Sequence, residues 1–334
     1  MPIDDTAYAY AVGRIRALEA RLLDRNRFER MIDASSAEEV LKMLTESEYT
    51  SSFGELSDIH DFETVLSSEL RHIFDLLETI TPWPELIAIM ALRYDVHNLK
   101  VLFKARYLDT KSNLLIPVGT CPTGKMVQAV AEDDFRDLPN RLRIAAEKVN
   151  EDFLVNHDPQ VIDLILDQAL FEELINRAEK ANIPFLKGLF IRQIDLINLK
   201  TLVRVKNMGF GREFFKKAFL PNGNLSFDQL GGSIDEPLES LIVQLGMTEY
   251  ATLVDEGIRD WLDRGTASRF EKLADDYITV YLKKGKWMPF GPEPLIGYLW
   301  AKEIELKNIR LILVGKINKL PAEAIRERIR DAYI

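Results

Sequence analysis

The chain is predicted to be all-α, built from three similar helical domains, and three observations carry that prediction. Glycine (17) and proline (14) are sparse in 334 residues, which favours long uninterrupted helices over a turn-rich β fold. Apolar residues recur every three or four positions through most of the chain. One thirteen-residue sentence is written three times, at Tyr94–Arg106, Ile194–Lys206 and Ile304–Lys316. Each copy holds an acid, then Asn three positions on, an aliphatic residue, a base, and a final base six residues further. The asparagines are Asn98, Asn198 and Asn308, 100 and then 110 residues apart. A repeat this long makes each unit a small domain rather than one turn of a solenoid, whose repeats run to roughly 20–50 residues.

Taken in order, Ala7–Leu23 places Ala11, Ile15, Leu18 and Leu22 on one helical face. Ser35-Ser36-Ala-Glu-Glu39 supplies a cap with a glutamate three residues on, opening the next helix. Helical rhythm continues over 61–79 and 85–107, then 137–150, 160–182 and 185–207. It resumes at 235–245, 249–263, 267–284, 293–317 and 321–332. Pro184 and Pro294 stand at helix starts, where a missing N–H costs little. Looser stretches run from 108 to 123 and from 207 to 232. Short helices ending in acids and an aromatic ring recur at Met43–Tyr49, Val130–Phe135 and Gln244–Tyr250. The expected division is therefore an N-terminal helix at 1–24 and units at 25–113, 114–224 and 225–334, the last with a C-terminal helix.

Within the signature helices, Val96, Leu99, Leu102 and Phe103 form one apolar stripe, matched by Leu196, Leu199, Leu202 and Val203. Asp95 and Asn98, three apart, share another face, as do Asp195 with Asn198 and Glu305 with Asn308. Two readings stand for these six. They are scaffold, with each asparagine bonding the backbone of a neighbouring helix, or they line a cavity where a partner docks. Lys100 and Lys104 are expected on a solvated face.

Composition narrows the partners. A net charge of −10, from 43 bases and 53 acids, speaks against nucleic acid. It also opposes anionic lipid, so membrane association is expected to run through a protein. The longest apolar run, Leu86–Leu92, falls far short of the roughly 20 residues a spanning helix needs. One cysteine, Cys121, and a start without a signal-peptide pattern suit the cytoplasm.

Catalytic signals fail one by one. Gly119-Thr-Cys-Pro-Thr-Gly124-Lys125-Met126 imitates a phosphate loop, but Met126 lacks the hydroxyl that holds magnesium and Pro117 interrupts the would-be strand. It occupies the place of a helix entry, with Thr123 the expected cap. His60, His72, His97 and His157 lack zinc spacing. Lys283-Lys284-Gly285-Lys286-Trp287 is a small basic, aromatic loop, read either as a solvated helix end or as a contact for an acidic partner. No catalytic, cofactor or metal site is expected.

The ordered set of motifs resembles a known family. The start, Tyr8-Ala-Tyr10-Ala-Val-Gly-Arg14-Ile-Arg16-Ala-Leu-Glu19, the segment Leu44-Thr-Glu-Ser-Glu-Tyr49 and the three signature helices are similar to the C subunit of archaeal and bacterial V/A-type rotary ATPases, equivalent to the d subunit of the vacuolar enzyme. The resemblance implies a pseudo-threefold funnel on the cytoplasmic side of the membrane rotor ring. That funnel receives the shaft, made of the D and F subunits, and passes torque between ATP synthesis or hydrolysis and ion transport, without catalysis of its own. The alternative is a stand-alone helical adaptor with the same triplicated architecture.

Overall fold

The computed structural model describes residues 4–49, 53, 58–108, 110 and 114–334. Parts of the expected N-terminal helix (1–3) and of the loose stretch after 108 (109 and 111–113) lie outside them. Every regular element among the described residues is helical, and no strand occurs among them.

Two compact units emerge. One joins the chain through Trp83 to Glu239–Ile334, and the other is Pro84–Leu238. The first, here the terminal unit, begins with a 3-10 turn at Asp5–Tyr8. It continues through α1 (Ala9–Glu19), α2 (Arg25–Asp33), α3 (Ala37–Thr45) and α4 (Phe62–Ile80). The central unit contains α5 (Pro84–Tyr107), α6 (Thr123–Glu132), α7 (Asn140–Asn156), α8 (Gln160–Ala181), α9 (Pro184–Asn207), α10 (Arg212–Ala218) and α11 (Phe227–Gly231). The terminal unit resumes with α12 (Glu239–Leu245), α13 (Ala251–Arg264), α14 (Ser268–Lys283), α15 (Glu293–Ile317) and α16 (Ala322–Arg326).

Local chemistry sets most boundaries. The Asp24 carboxylate accepts from Arg27 N at 2.8 Å and caps α2. The Ser36 hydroxyl accepts from Glu39 N at 3.3 Å, while the Glu39 carboxylate accepts from Ser35 N at 2.6 Å. Asp133, His157, Asn182 and Gly265 stop α6, α7, α8 and α13 in the left-handed conformation.

In the central unit α8 lies between α5 and α9 and pairs with α7. In the terminal unit α15 is the core helix, packed by α1, α2, α3, α4 and α14. Leu295, Leu299, Ile309, Ile312 and Leu313 on it are fully buried. A helix apolar on several sides belongs in the middle of a domain rather than on its surface.

Several expectations change. Helix 321–332 shrinks to Ala322–Arg326, because Asn308 and Asp276 take the backbone N–H groups of Arg330 and Asp331 and hold that segment out of the helix. The stretch 207–232 contains the short helices α10 and α11, the latter opened by a capping box between Ser226 and Gln229. Thr123 is the first helical residue and Pro122 holds the cap position, with no side-chain cap bond.

Candidate functional site

On α5, Asn98 makes a two-way bond with one residue's backbone. Its Nδ2 donates to Ile116 O at 2.9 Å and its Oδ1 accepts from Ile116 N at 2.8 Å. On α9, Asn198 does the same with Leu220, at 2.8 Å in both directions. On α15, Asn308 does so with Arg330, at 3.0 and 2.9 Å. All three asparagines are fully buried. The partners are non-helical segments and not the helices expected. Interior helical N–H and C=O groups already bond each other, whereas a residue outside a helix can offer both, and an amide side chain matches that pair.

The acid one turn earlier completes each clamp. Asp95 accepts from Thr120 N at 2.9 Å, Thr120 Oγ1 at 2.6 Å and Cys121 N at 3.1 Å. Asp195 accepts from Asn224 N at 3.1 Å and Leu225 N at 2.9 Å. Burial pushes the Asp95 carboxyl above its ordinary range, against the pull of these donors. Both loops need glycine: a Cβ on Gly119 or Gly223 would sit 2.2 Å from Asp95 Oδ1 or Asp195 Oδ1.

This disposes of the phosphate-loop likeness. The backbone donors at 120 and 121, which in a true phosphate loop face the nucleotide, are already turned onto the chain's own carboxylate. Lys125 points instead toward Asp137 at 3.8 Å, both exposed.

The third clamp departs from this pattern. Glu305, one methylene longer than aspartate, accepts from Leu23 N and Tyr49 OH. Lys302 Nζ donates to both Glu305 and Tyr49 OH and stands 4.5 Å from the Tyr49 ring centre. All of these side chains are buried. Burial, and then the Glu305 charge, push the Tyr49 hydroxyl far above its usual value. Glu305 thereby ties the segments after α1 and α3 to α15.

The final base of each sentence also repeats its role. Arg106 donates to Val130 O at 2.7 Å, near the end of α6. Lys206 donates to Ser233 O and Ile234 O at 2.6 and 2.7 Å, just past α11. Lys316 donates to Ile32 O and Ala34 O at 2.5 Å, at the end of α2. A cation at a helix C-terminus satisfies carbonyls the helix cannot and complements its dipole. Lys100 and Lys104 are half-buried and engaged in ion pairs. They pair with Asp167 and Asp163 of α8 at 2.6 and 2.7 Å.

The six expected residues form three pairs, Asp95 with Asn98, Asp195 with Asn198 and Glu305 with Asn308. Each pair is buried and spent on the chain's own groups. Gly119, Gly223 and Lys302 were not singled out from the sequence for these contacts. The glycines' signal was their place in loops, 24 and 28 residues after the acids. Among the described residues, no group of three or more His, Cys, Asp or Glu is placed to hold a metal, and no helix is long and apolar enough to cross a membrane.

A family model described as ATP synthase (C/AC39) subunit matches residues 11–328. The chain belongs to that family. Among its relatives is the C subunit of the V-type sodium ATPase of Enterococcus hirae, 30% identical over 320 residues, with 96% of this chain and 97% of the relative covered. The C subunit of the A-type ATP synthase of Methanocaldococcus jannaschii is 28% identical, covering 98% and 87%. That of Pyrococcus abyssi is 26% identical, covering 98% and 91%. The family match spans all three signature helices and both partner segments of the first two clamps, while Arg330 of the third lies two residues beyond it.

Proposed function

We propose that this chain is the non-catalytic central-stalk subunit of a rotary V/A-type ATPase or ATP synthase. It is a socket that joins the shaft, made of the D and F subunits, to the membrane rotor ring and transmits torque between nucleotide chemistry and ion transport. In this reading its three helical units descend from a triplication, stand around a pseudo-threefold axis in a funnel, and sit peripherally on the cytoplasmic side of the membrane, held there by the ring. The observation that carries the proposal is the near full-length match to relatives named as the C subunits of such enzymes.

The clamps support it. Asp95, Asn98, Asp195, Asn198, Glu305 and Asn308 act as internal scaffold, and three sets of buried two-way bonds suit a part that must pass torsion without yielding. A tagged copy expressed in its own cells and purified gently should bring down the shaft and rotor-ring subunits together. Recovery without either would overturn the proposal in favour of a free-standing adaptor.

A further inference from the structure

We propose that the loop between α14 and α15 is a docking tip for an anionic lipid surface. The three signature helices are each preceded by a connection, and only one of these is long. Residues 81–83 lead into α5 and 182–183 into α9, whereas 284–292 lead into α15. The longer connection carries Lys284-Gly-Lys286-Trp287-Met288-Pro289-Phe290, directly after Lys283. In a chain with 53 acids, positions 283–292 hold three lysines and no acid.

Its apolar side chains face outward. Trp287 is 86% exposed, with Met288 and Phe290 at 42% and 46%. Exposed tryptophan beside lysine is costly in water and suits the headgroup layer of a bilayer, where the ring sits at the boundary and the ammonium groups meet lipid phosphate. The loop is also held rather than loose. Arg16 of α1 donates to Gly285 O at 3.2 Å and Met288 O at 3.1 Å, while pairing with the buried Glu19 at 2.7 Å. Gly285 presses so closely on α15 that a Cβ there would lie 2.8 Å from Glu293 O. A tip pinned in one conformation loses little entropy on docking.

The size of the patch favours lipid over an acidic protein. A stable protein interface covers about 800 Å² on each partner, more than seven loop residues supply. The neighbouring acids offset the charge only in part: Glu19 is spent on Arg16, and Asp5 and Glu293, beside Gly291 at the base of the loop, are two against three lysines. With a chain-wide charge of −10, the tip acts as an auxiliary contact. It is independent of the coupling role proposed above.

The test uses the full chain with vesicles of phosphatidylcholine alone or with one-third phosphatidylglycerol, followed by sedimentation and by tryptophan quenching with brominated lipid. Binding should appear on the anionic vesicles, be at least about tenfold weaker on neutral ones, and fall in high salt. Changing Lys283, Lys284 and Lys286 together to Gln should weaken it up to about 100-fold, at roughly fivefold per lysine. Trp287→Phe should keep binding but lose the quenching, and Trp287→Ala should lose both while the unfolding midpoint stays put. No binding, equal binding to both vesicle types, or unaltered binding by the lysine variant would each overturn the proposal. So would loop-dependent capture of polyglutamate without vesicle binding, which would assign the tip to an acidic protein. Co-purification with shaft and ring is a separate readout, unmoved by any of these results.

Discussion

At the scale of single residues, the asparagine clamps set the energetics of the signature helices. Asn198 is the clearest case, since its partner Leu220 is buried and bonds it in both directions. Asn198→Ala would leave a buried N–H and a buried C=O without partners, at about 1–3 kcal/mol each. Some relaxation is expected, so the total loss should be about 2–4 kcal/mol, read from urea unfolding. A loss below about 0.5 kcal/mol would mean that the loop swings out and the clamp is not structural. Periodicity in the sequence could mark Asn98, Asn198 and Asn308 as equivalent, because a threefold recurrence needs no structure to detect. It could not reveal that their partners are non-helical segments 18–22 residues downstream, although two of these, Ile116-Pro-Val-Gly119 and Leu220-Pro-Asn-Gly223, share an aliphatic-Pro-x-Gly pattern that Arg330 lacks. Nor could it show that Glu305 abandons the downstream loop for Leu23 and Tyr49, a contact across 256–282 residues.

At the scale of elements, the end of the chain is fastened by charge. The Asp275 carboxylate of α14 accepts from Lys307 of α15 at 2.5 Å and from Arg330 at 2.9 Å. Burial alone would raise its pKa, but the two cations outweigh burial and hold it below its ordinary value of 3.8. A depressed acid contributes stability that is complete above the unfolded value and lost as pH falls through the folded one. Asp275→Asn should therefore lower stability at neutral pH and flatten the further loss between about pH 4 and 2, measured as the urea midpoint against pH. An unchanged acid slope would exclude this carboxylate as a contributor. The long helices were legible because apolar spacing and proline starts agree: 185–207 was expected and Pro184–Asn207 is found, and α15 matches at both ends. The stretch 321–332 was not, because tertiary bonds to Arg330 and Asp331 override a good helical pattern.

At the scale of the whole molecule, the two units differ in how the chain builds them. Pro84–Leu238 is continuous, whereas the terminal unit needs both the first and the last parts of the chain. A fragment spanning 84–238 should fold alone, with helical circular dichroism and a single cooperative melt. A fragment ending at Trp83 should remain largely unfolded until 239–334 is added. Its burial of Leu22, Leu23, Ile32 and Leu44 depends partly on α15, which packs against α1, α2 and α3. If the N-terminal fragment melts cooperatively by itself, the dependence on α15 is smaller than this packing indicates.

The bond from Leu23 to Glu305 spans 282 residues and has a cost in time. At roughly 5–20 residues per second of synthesis, Leu23 waits about 14–56 s on the ribosome before its partner exists. Throughout that interval the apolar faces of α1, α2 and α3 lack the helix that covers them, while the central unit completes its sequence at Leu238, before α15 is made. A chaperone of nascent chains should therefore engage this chain early and release it only once α15 has emerged.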